Sequence, residues 1–361
     1  MSMVRFGSWG LAIAVVIAGA PVRAGGPADF MMRTSVEGLD LEGQPLLWNS
    51  REMFLLGRDG MLYTFDPRAA RNSLRTANRF VPYDSGEMRM RLRAEFGKSY
   101  RIGATQHFVV VHPDGAWNKW PEHLESLFRR FVQAVRVRGF TIHEPPALLA
   151  AVIFRNQADY FAYAASQGTE VQPGLLGHYD PESNRIFLFD ATGAAAGGDW
   201  EGNRSTLVHE AVHQTAYNIG VHRRFAEQPR WLVEGLAMVF ESPQAWNGSA
   251  GDAGGRVHAG RLADFRAREA ERPADWALRL VASDQGFQTD AQAAYAEAWA
   301  LSFYLSERRP HNYARLLRRA ADREAFATYK SAQRVNDFTA EMGSDWTMLD
   351  ARIQSFIAEL P

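Results

Sequence analysis

Residues 207–214 have the sequence Leu-Val-His-Glu-Ala-Val-His-Gln, with two histidines four positions apart and a glutamate directly after the first. Positions four apart on an α-helix lie on the same face, so His209 and His213 can direct their imidazoles at a single ion. Glu210 lies roughly 100° around the helix axis from His209, where it can face a metal-bound water without acting as a ligand. The stretch therefore predicts two metal ligands and a general base on one helix.

A zinc site of the hydrolytic type needs a third protein ligand and one open position. Glu234 is the candidate, in the segment Pro-Arg-Trp-Leu-Val-Glu-Gly-Leu-Ala at 229–237. Its distance from His213 along the chain (234 − 213 = 21) leaves room for a turn and a second, antiparallel helix. Glu241 lies two helical turns further on, and we expect it to accept a hydrogen bond from a ligand imidazole. The pattern predicts one zinc ion per chain, held by His209, His213 and Glu234.

Strands and helices are predicted on both sides of this helix pair. The patterns indicate buried strands at 106–111 and 148–154, a hairpin of 175–179 and 185–189, and helices at 122–138 and 158–166. An Asp-Gly turn at 58–60 is expected to join strands 53–56 and 61–65. Asn203 is the expected N-cap of the helix that carries the histidines, after a Gly-rich loop at 191–202. The mixture predicts an α+β fold.

The first residues have the pattern of a secretory signal peptide. Arg5 precedes an apolar run at 11–20, and Ala24 ends a short segment suited to cleavage. The alternative is a membrane anchor, but the run is too short to span a bilayer comfortably. Without cysteine the chain has no lipidated N-terminus. We therefore expect an exported protein, periplasmic or secreted, with no stable membrane anchor after cleavage.

The composition is that of an ordinary globular protein. The chain has 361 residues, no cysteine, 46% hydrophobic residues, and 40 Lys+Arg against 41 Asp+Glu. This balance disfavours a disordered chain and a disulfide-stapled miniprotein, and it lacks the basic excess of a nucleic-acid-binding protein. The sequence carries no signal for an oligomeric state. We predict a signal peptide at 1–24, a small β-rich region at 25–100, an α+β core at 101–245 and a helical region at 246–361.

The residues of the helix pair resemble the gluzincin metallopeptidases of clan MA, whose zinc ligands are the two histidines of HExxH and a glutamate from the next helix. The segment Trp-Leu-Val-Glu-Gly-Leu-Ala at 231–237, with Asn218 and Glu241, is similar to the aminopeptidase branch of that clan. The segments at 179–190 and 295–305 resemble an uncharacterised peptidase-MA-like family of exported bacterial proteins, a domain-of-unknown-function family. The resemblance covers about residues 50–310.

This resemblance implies a zincin-like catalytic core at 101–245: a mixed sheet whose edge strand, here 185–189, lies above the HExxH helix. It also implies peptide-bond hydrolysis, with a peptide or protein as substrate and Glu210 as general base. Gluzincin aminopeptidases take an oxyanion donor from the helical region beyond the glutamate ligand, which implies Tyr295 here. His222 and Tyr217 lie between the ligand helices and are alternative donors. No Gly-x-Met-Glu-Asn segment is present upstream, so aminopeptidase specificity does not follow.

Two other functions compete with an exported zinc peptidase. One is an inactive zincin-fold module that binds or scaffolds at the cell envelope; the presence of every ligand and of the base weighs against it. The other is a zinc hydrolase of non-peptide amides or esters, which uses the same chemistry and differs in its pocket residues. A third histidine, His178, lies on the predicted hairpin, and we expect a structural role for it.

Overall fold

The computed structural model describes residues 27–114, 119–168, 175–191, 200–246 and 253–361. These fall into two compact units. Unit 1 comprises the chain up to Ser126 together with Pro145–Glu210, and unit 2 comprises Leu127–Glu144 and Ala211–Pro361. The predicted signal peptide at 1–24 lies outside the described residues. The predicted domain boundaries stay predictions.

The first sheet of unit 1 is antiparallel and has the strand order β4-β3-β2-β1-β5. Its strands are β1 (Met31–Val36), β2 (Leu39–Trp48), β3 (Met53–Gly57), β4 (Leu62–Phe65) and β5 (Ala70–Ala77). The predicted Asp-Gly turn joins β3 to β4, and Gly60 there has a φ of +80°, which glycine adopts at little cost. Helix α1 (Ser85–Phe96) follows and was not predicted, because its only buried residues are Met88 and Leu92.

The second sheet of unit 1 is mixed, with the order β6-β7-β8-β10-β9. Its strands are β6 (Tyr100–Ala104), β7 (Phe108–Pro113), β8 (Leu149–Phe154), β9 (Gly177–Asp180) and β10 (Arg185–Phe189). Strands β7, β8 and β10 are parallel neighbours, and β9 pairs antiparallel with β10. The predicted hairpin is therefore confirmed.

The predicted position of strand 185–189 at the edge of this sheet is wrong. Strand β10 pairs with β8 on one side and with β9 on the other, so β9 is the edge strand. The reason is burial: all five residues of β10 are buried, as suits an interior parallel strand, whereas β9 is shorter and includes the half-buried His178.

Four helices lie between β7 and residue 242 along the chain, and two of them carry the predicted metal ligands. They are α2 (Trp120–Val137), α3 (Gln157–Ser166), α4 (Trp200–Asn218) and α5 (Arg230–Glu241). Because α4 begins at Trp200, Asn203 lies inside the helix and its predicted N-cap role is wrong. Trp and Glu are acceptable helix residues, so the helix extends back through residues 200 and 201 into the predicted loop. The rest of that loop, 192–199, lies outside the described residues.

The described part of residues 253–361 is helical and contains no strand. Its α-helices are α6 (Ala259–Ala267), α7 (Trp276–Ala282), α8 (Gly286–Thr289), α9 (Ala291–Arg308), α10 (Pro310–Ala321), α11 (Ser331–Met342) and α12 (Trp346–Ala358). Helix α5 packs closely against α9: a Cβ at Gly235 would lie 2.6 Å from the carbonyl oxygen of Ala298. This glycine therefore sets how near α5 approaches α9. Among the helices described, none has the length and hydrophobicity needed to cross a bilayer.

Candidate metal centre

Three side chains on α4 and α5 converge. His209, His213 and Glu234 each offer a ligand atom, and these atoms all lie within 4.8 Å of one another. The two histidines belong to one continuous helix, so helix geometry sets their separation of one turn. Nε2 of His213 lies 3.6 Å from Oε2 of Glu234, and both side chains are largely buried.

The distance between His213 and Glu234 fits shared ligation of a zinc ion better than a direct contact. A separation of 3.6 Å between His213 and Glu234 is too long for a hydrogen bond. Tetrahedral zinc with bonds of about 2.0–2.2 Å separates its ligand atoms by roughly 3.3–3.6 Å. Two imidazole nitrogens and one carboxylate oxygen are also the donor set of catalytic zinc sites, which keep a fourth position open. The residues present therefore fit the ion that the sequence predicts.

Glu210 contacts the edge of the second sheet. Its Oε2 accepts a hydrogen bond of 2.7 Å from the backbone N–H of Tyr179, in the edge strand β9. An edge strand has backbone groups that no neighbouring strand uses, so such a donor is available there. Sequence analysis missed this contact because the donor is a backbone amide, which any residue except proline supplies.

His222 is a buried histidine with no hydrogen-bond partner among the described residues. It is 2% exposed, and neither Nδ1 nor Nε2 has a partner. Burial lowers its pKa to about 3, and the charge of His213 lowers it further. The ring is therefore neutral at pH 7 and carries one N–H donor. An unpaired buried donor is costly, which sets His222 apart from a histidine that serves only to fill the core. Tyr217, the other alternative donor, packs its ring 5.3 Å from that of His222.

Two predicted residues have contacts that the sequence did not indicate. The Tyr295 hydroxyl accepts a hydrogen bond of 2.8 Å from Nη2 of Arg230, at the start of α5. Oε2 of Glu241 lies 2.9 Å from Nε2 of His258. The roles of Tyr295 as oxyanion donor and of Glu241 as support for a ligand imidazole stay predictions.

His178 has a close partner in α3. Its Nδ1 lies 2.5 Å from the Tyr160 hydroxyl. Burial lowers the pKa of His178 to about 4, so the ring is neutral at pH 7. The pKa of Tyr160 is raised, first by burial and then by the negative charge of Glu210. The Tyr160–His178 pair therefore lies within electrostatic reach of Glu210, a placement that no sequence motif indicated.

Comparison with known proteins gives a partial family match and distant structural similarity. A family model described as a protein of unknown function (DUF1570) matches residues 203–327, which include His209, His213 and Glu234. Among curated proteins, none matches the chain.

Two solved structures are similar to the chain at 15% sequence identity and a TM-score of 0.41. One is a variant of an M1 zinc metallopeptidase from Deinococcus radiodurans, where the match covers 92% of this chain and 61% of that chain. The other is a variant of a two-domain M1 zinc metallopeptidase bound to L-arginine, where the match covers 92% of this chain and 87% of that chain. The chain thus spans about three fifths of the first. A TM-score of 0.41 does not establish a shared fold.

Proposed function

We propose that this protein is an exported zinc-dependent metallopeptidase. The observation that carries the proposal is the convergence of ligand atoms from His209, His213 and Glu234 within 4.8 Å of one another. When bound, a zinc ion supplies a water of lowered pKa and polarises the scissile carbonyl. The proposal that the protein is exported is supported by the signal-peptide pattern of residues 5–24.

Glu210 is the proposed general base. It directly follows His209 on α4, and its carboxylate accepts the Tyr179 amide at 2.7 Å. This bond orients the carboxylate, which takes a proton from the attacking water and passes it to the leaving amine. Positioned proton transfer of this kind typically contributes a factor of about 10² to 10⁴ in rate.

His222 is the oxyanion donor that the contacts favour. A tetrahedral intermediate develops negative charge on the former carbonyl oxygen, and a preorganised donor stabilises it. The neutral His222 ring has an N–H that finds no partner within the described ranges, and its pKa responds to the charges of both His213 and Glu234. The Tyr295 hydroxyl accepts a hydrogen bond from Arg230, which occupies a lone pair of the phenolic oxygen and not its proton, so this bond does not exclude Tyr295 as a donor. Tyr295 remains the donor implied by the family resemblance, and the two assignments have separable consequences.

Zinc content tests the site. Elemental analysis of the purified mature chain should find about one zinc in the wild type and none in His209→Ala/His213→Ala. His311→Ala, at an exposed position of α10, is the matched control and should keep its zinc. Absence of zinc in the wild type, even after reconstitution, would overturn the proposal and favour the inactive binding module.

Turnover by Glu210→Gln tests the reaction. Glutamine keeps the shape of the side chain but cannot accept the proton, so peptide hydrolysis should fall by at least about 10²-fold while zinc is retained. The measurement is kcat/KM on a blocked peptide library, with blocked esters and non-peptide amides assayed beside it. Full activity in Glu210→Gln would exclude Glu210 as the base. Hydrolysis of esters alone would favour the non-peptide hydrolase.

A further inference from the structure

Unit 1 contains a cavity of about 580 Å³ that the proposed chemistry does not use. Its walls come from α1, α3, the β9–β10 hairpin, the start of β2 and the β3–β4 turn. A volume of this size lies within the range of about 300–1,000 Å³ that is typical of small-molecule sites.

One side of the cavity is a continuous aromatic surface. His178 and Phe187 are cross-strand partners in β9 and β10, and their ring centroids are 5.3 Å apart. Tyr160 packs 5.8 Å from His178, and Tyr163 packs 5.4 Å from Phe187. All four rings line the cavity, and Met61 and Met88 add thioether side chains. These groups favour an apolar or aromatic occupant.

The charged groups inside the cavity already have partners. The Arg185 guanidinium donates to both oxygens of Glu95 at 2.8 and 2.9 Å, and the Tyr163 hydroxyl donates to Glu95 at 3.0 Å. The Tyr63 hydroxyl donates to Asp59 at 3.0 Å. A charged occupant would lose its hydration without finding an unpaired counter-charge on these groups.

The other charged lining residues are Asp180, whose carboxylate accepts the backbone N–H of Glu182 at 2.7 Å, and the solvent-exposed Asp40, Arg91 and Glu182. The buried charged groups Asp59, Asp180 and Arg185 are thus each hydrogen-bonded within the protein, and the remaining interior surface consists of rings and aliphatic groups. This distribution favours a bulky uncharged occupant.

The cavity begins next to the proposed base. His178 lines it and directly precedes Tyr179, the residue whose amide donates to Glu210. Consecutive Cα atoms are about 3.8 Å apart, and successive side chains of a strand point to opposite faces. The Tyr179 side chain accordingly is not part of the cavity and donates to Asn184 instead. The part of the cavity wall formed by His178 is thus one residue along β9 from the amide that donates to Glu210.

We propose that this cavity is a specificity pocket that receives a bulky aromatic or aliphatic side chain of the peptide, close to the scissile bond. The inference rests on the proposed peptidase function. It names the class of substrate: peptides with a large uncharged side chain, such as phenylalanine or leucine, at one position beside the cleaved bond.

Filling the cavity from its solvent side tests the pocket. Ala94 lines the cavity on α1 and is exposed, so Ala94→Trp introduces an indole without changing the core. Ala162→Trp, at an exposed position of α3 that does not line the cavity, is the matched control. The readout is kcat/KM for blocked peptides in which one residue is Phe, Leu, Ala, Asp or Lys.

The wild type should prefer Phe and Leu over Ala, Asp and Lys at one position by roughly 10-fold or more, the scale of hydrophobic pocket discrimination. Ala94→Trp should bring the Phe/Ala ratio close to unity, and Ala162→Trp should keep the wild-type ratio. Thermal melting and zinc content establish that both variants are folded and loaded. A Phe/Ala ratio that Ala94→Trp leaves unchanged would overturn the pocket and leave the peptidase function standing.

A binding measurement separates the two proposals further. N-acetyl-phenylalaninamide is titrated into the wild type and into Ala94→Trp by NMR, with N-acetyl-aspartic acid amide as the charged comparison. Saturable binding of the phenylalanine compound, weakened at least 10-fold by Ala94→Trp, is expected, and the aspartate compound should not bind. Binding without cleavage of any peptide would overturn the peptidase function but keep the apolar site. Absence of binding together with absence of side-chain preference would overturn the pocket.

Discussion

The helix pair α4/α5 and the hairpin β9/β10 contribute to the candidate site in different ways. The helices supply side chains of a chemically distinctive type, two imidazoles and a carboxylate, at spacings that helix geometry imposes. The hairpin supplies a backbone amide and one wall of a cavity. The candidate ligands therefore have a sequence signature, whereas the backbone amide and the cavity wall do not.

We expect the largest loss of kcat from a substitution at His222, which follows α4 in the chain. His222→Phe removes the N–H donor but keeps a ring of similar size in the buried position, so kcat should fall by roughly 10²- to 10³-fold. Tyr295→Phe is the matched comparison, because it removes only a hydroxyl that contacts Arg230. We expect a much smaller loss there.

Affinity for a phosphonamidate peptide, which resembles the tetrahedral intermediate, should fall in parallel with kcat in His222→Phe. Zinc content should stay unchanged in both variants. If Tyr295→Phe shows the large loss and His222→Phe the small one, the donor is Tyr295, as the family resemblance implies.

His178, in strand β9 of the hairpin, should make the stability of the protein depend on pH. The pKa of His178 is lowered to about 4 in the folded chain by burial, against a usual value near 6.5. Between these values the unfolded chain binds the proton and the folded chain does not, so stability falls as pH falls below about 6.5. At about 1.4 kcal/mol for each pH unit, His178 accounts for roughly 2 kcal/mol of lost stability between pH 6.5 and 5.

His178→Gln keeps a neutral acceptor for Tyr160 but does not titrate. Urea unfolding at pH 6.5 and pH 5 should therefore give a smaller loss of unfolding free energy in His178→Gln than in the wild type, by roughly 2 kcal/mol. The other histidines are the same in both proteins, so the difference isolates His178. Equal losses would show that His178 becomes protonated at its usual pKa.

We expect the smallest loss of kcat from removing the hydrogen bond between the Tyr179 amide and Glu210. Tyr179→Pro removes the amide that donates to Glu210. Proline is tolerated in edge strands, so the sheet should survive. Without this bond the carboxylate is less well oriented, and we expect kcat to fall by about 5-fold, the equivalent of a net hydrogen bond of about 1 kcal/mol.

Tyr179→Phe, which keeps the amide and loses only the hydroxyl bound to Asn184, is the control. It should keep nearly full kcat. Equal kcat values in the proline and phenylalanine variants would show that the hairpin does not position the base.

The sequence predicted best those elements whose structure depends on a repeating pattern of neighbouring residues. The histidines lie one helical turn apart in α4, and the hairpin pairs antiparallel, because both patterns depend on neighbouring residues. Helix α1 was missed because only Met88 and Leu92 are buried, too few to form a periodic pattern. The edge position of 185–189 was wrong because strand order depends on burial against distant strands.

By itself, the sequence determined which residues can act as ligands and as a base: His209, His213, Glu234 and Glu210 have the required chemical groups, and their spacing follows from helical geometry. Only tertiary contacts make His222 buried and without a partner in the described part of the chain, bring the Tyr179 amide to Glu210, and line one cavity with four aromatic rings. The physical reason is that burial, backbone hydrogen bonding and cavity shape arise from contacts between segments far apart in the chain, which no local pattern records.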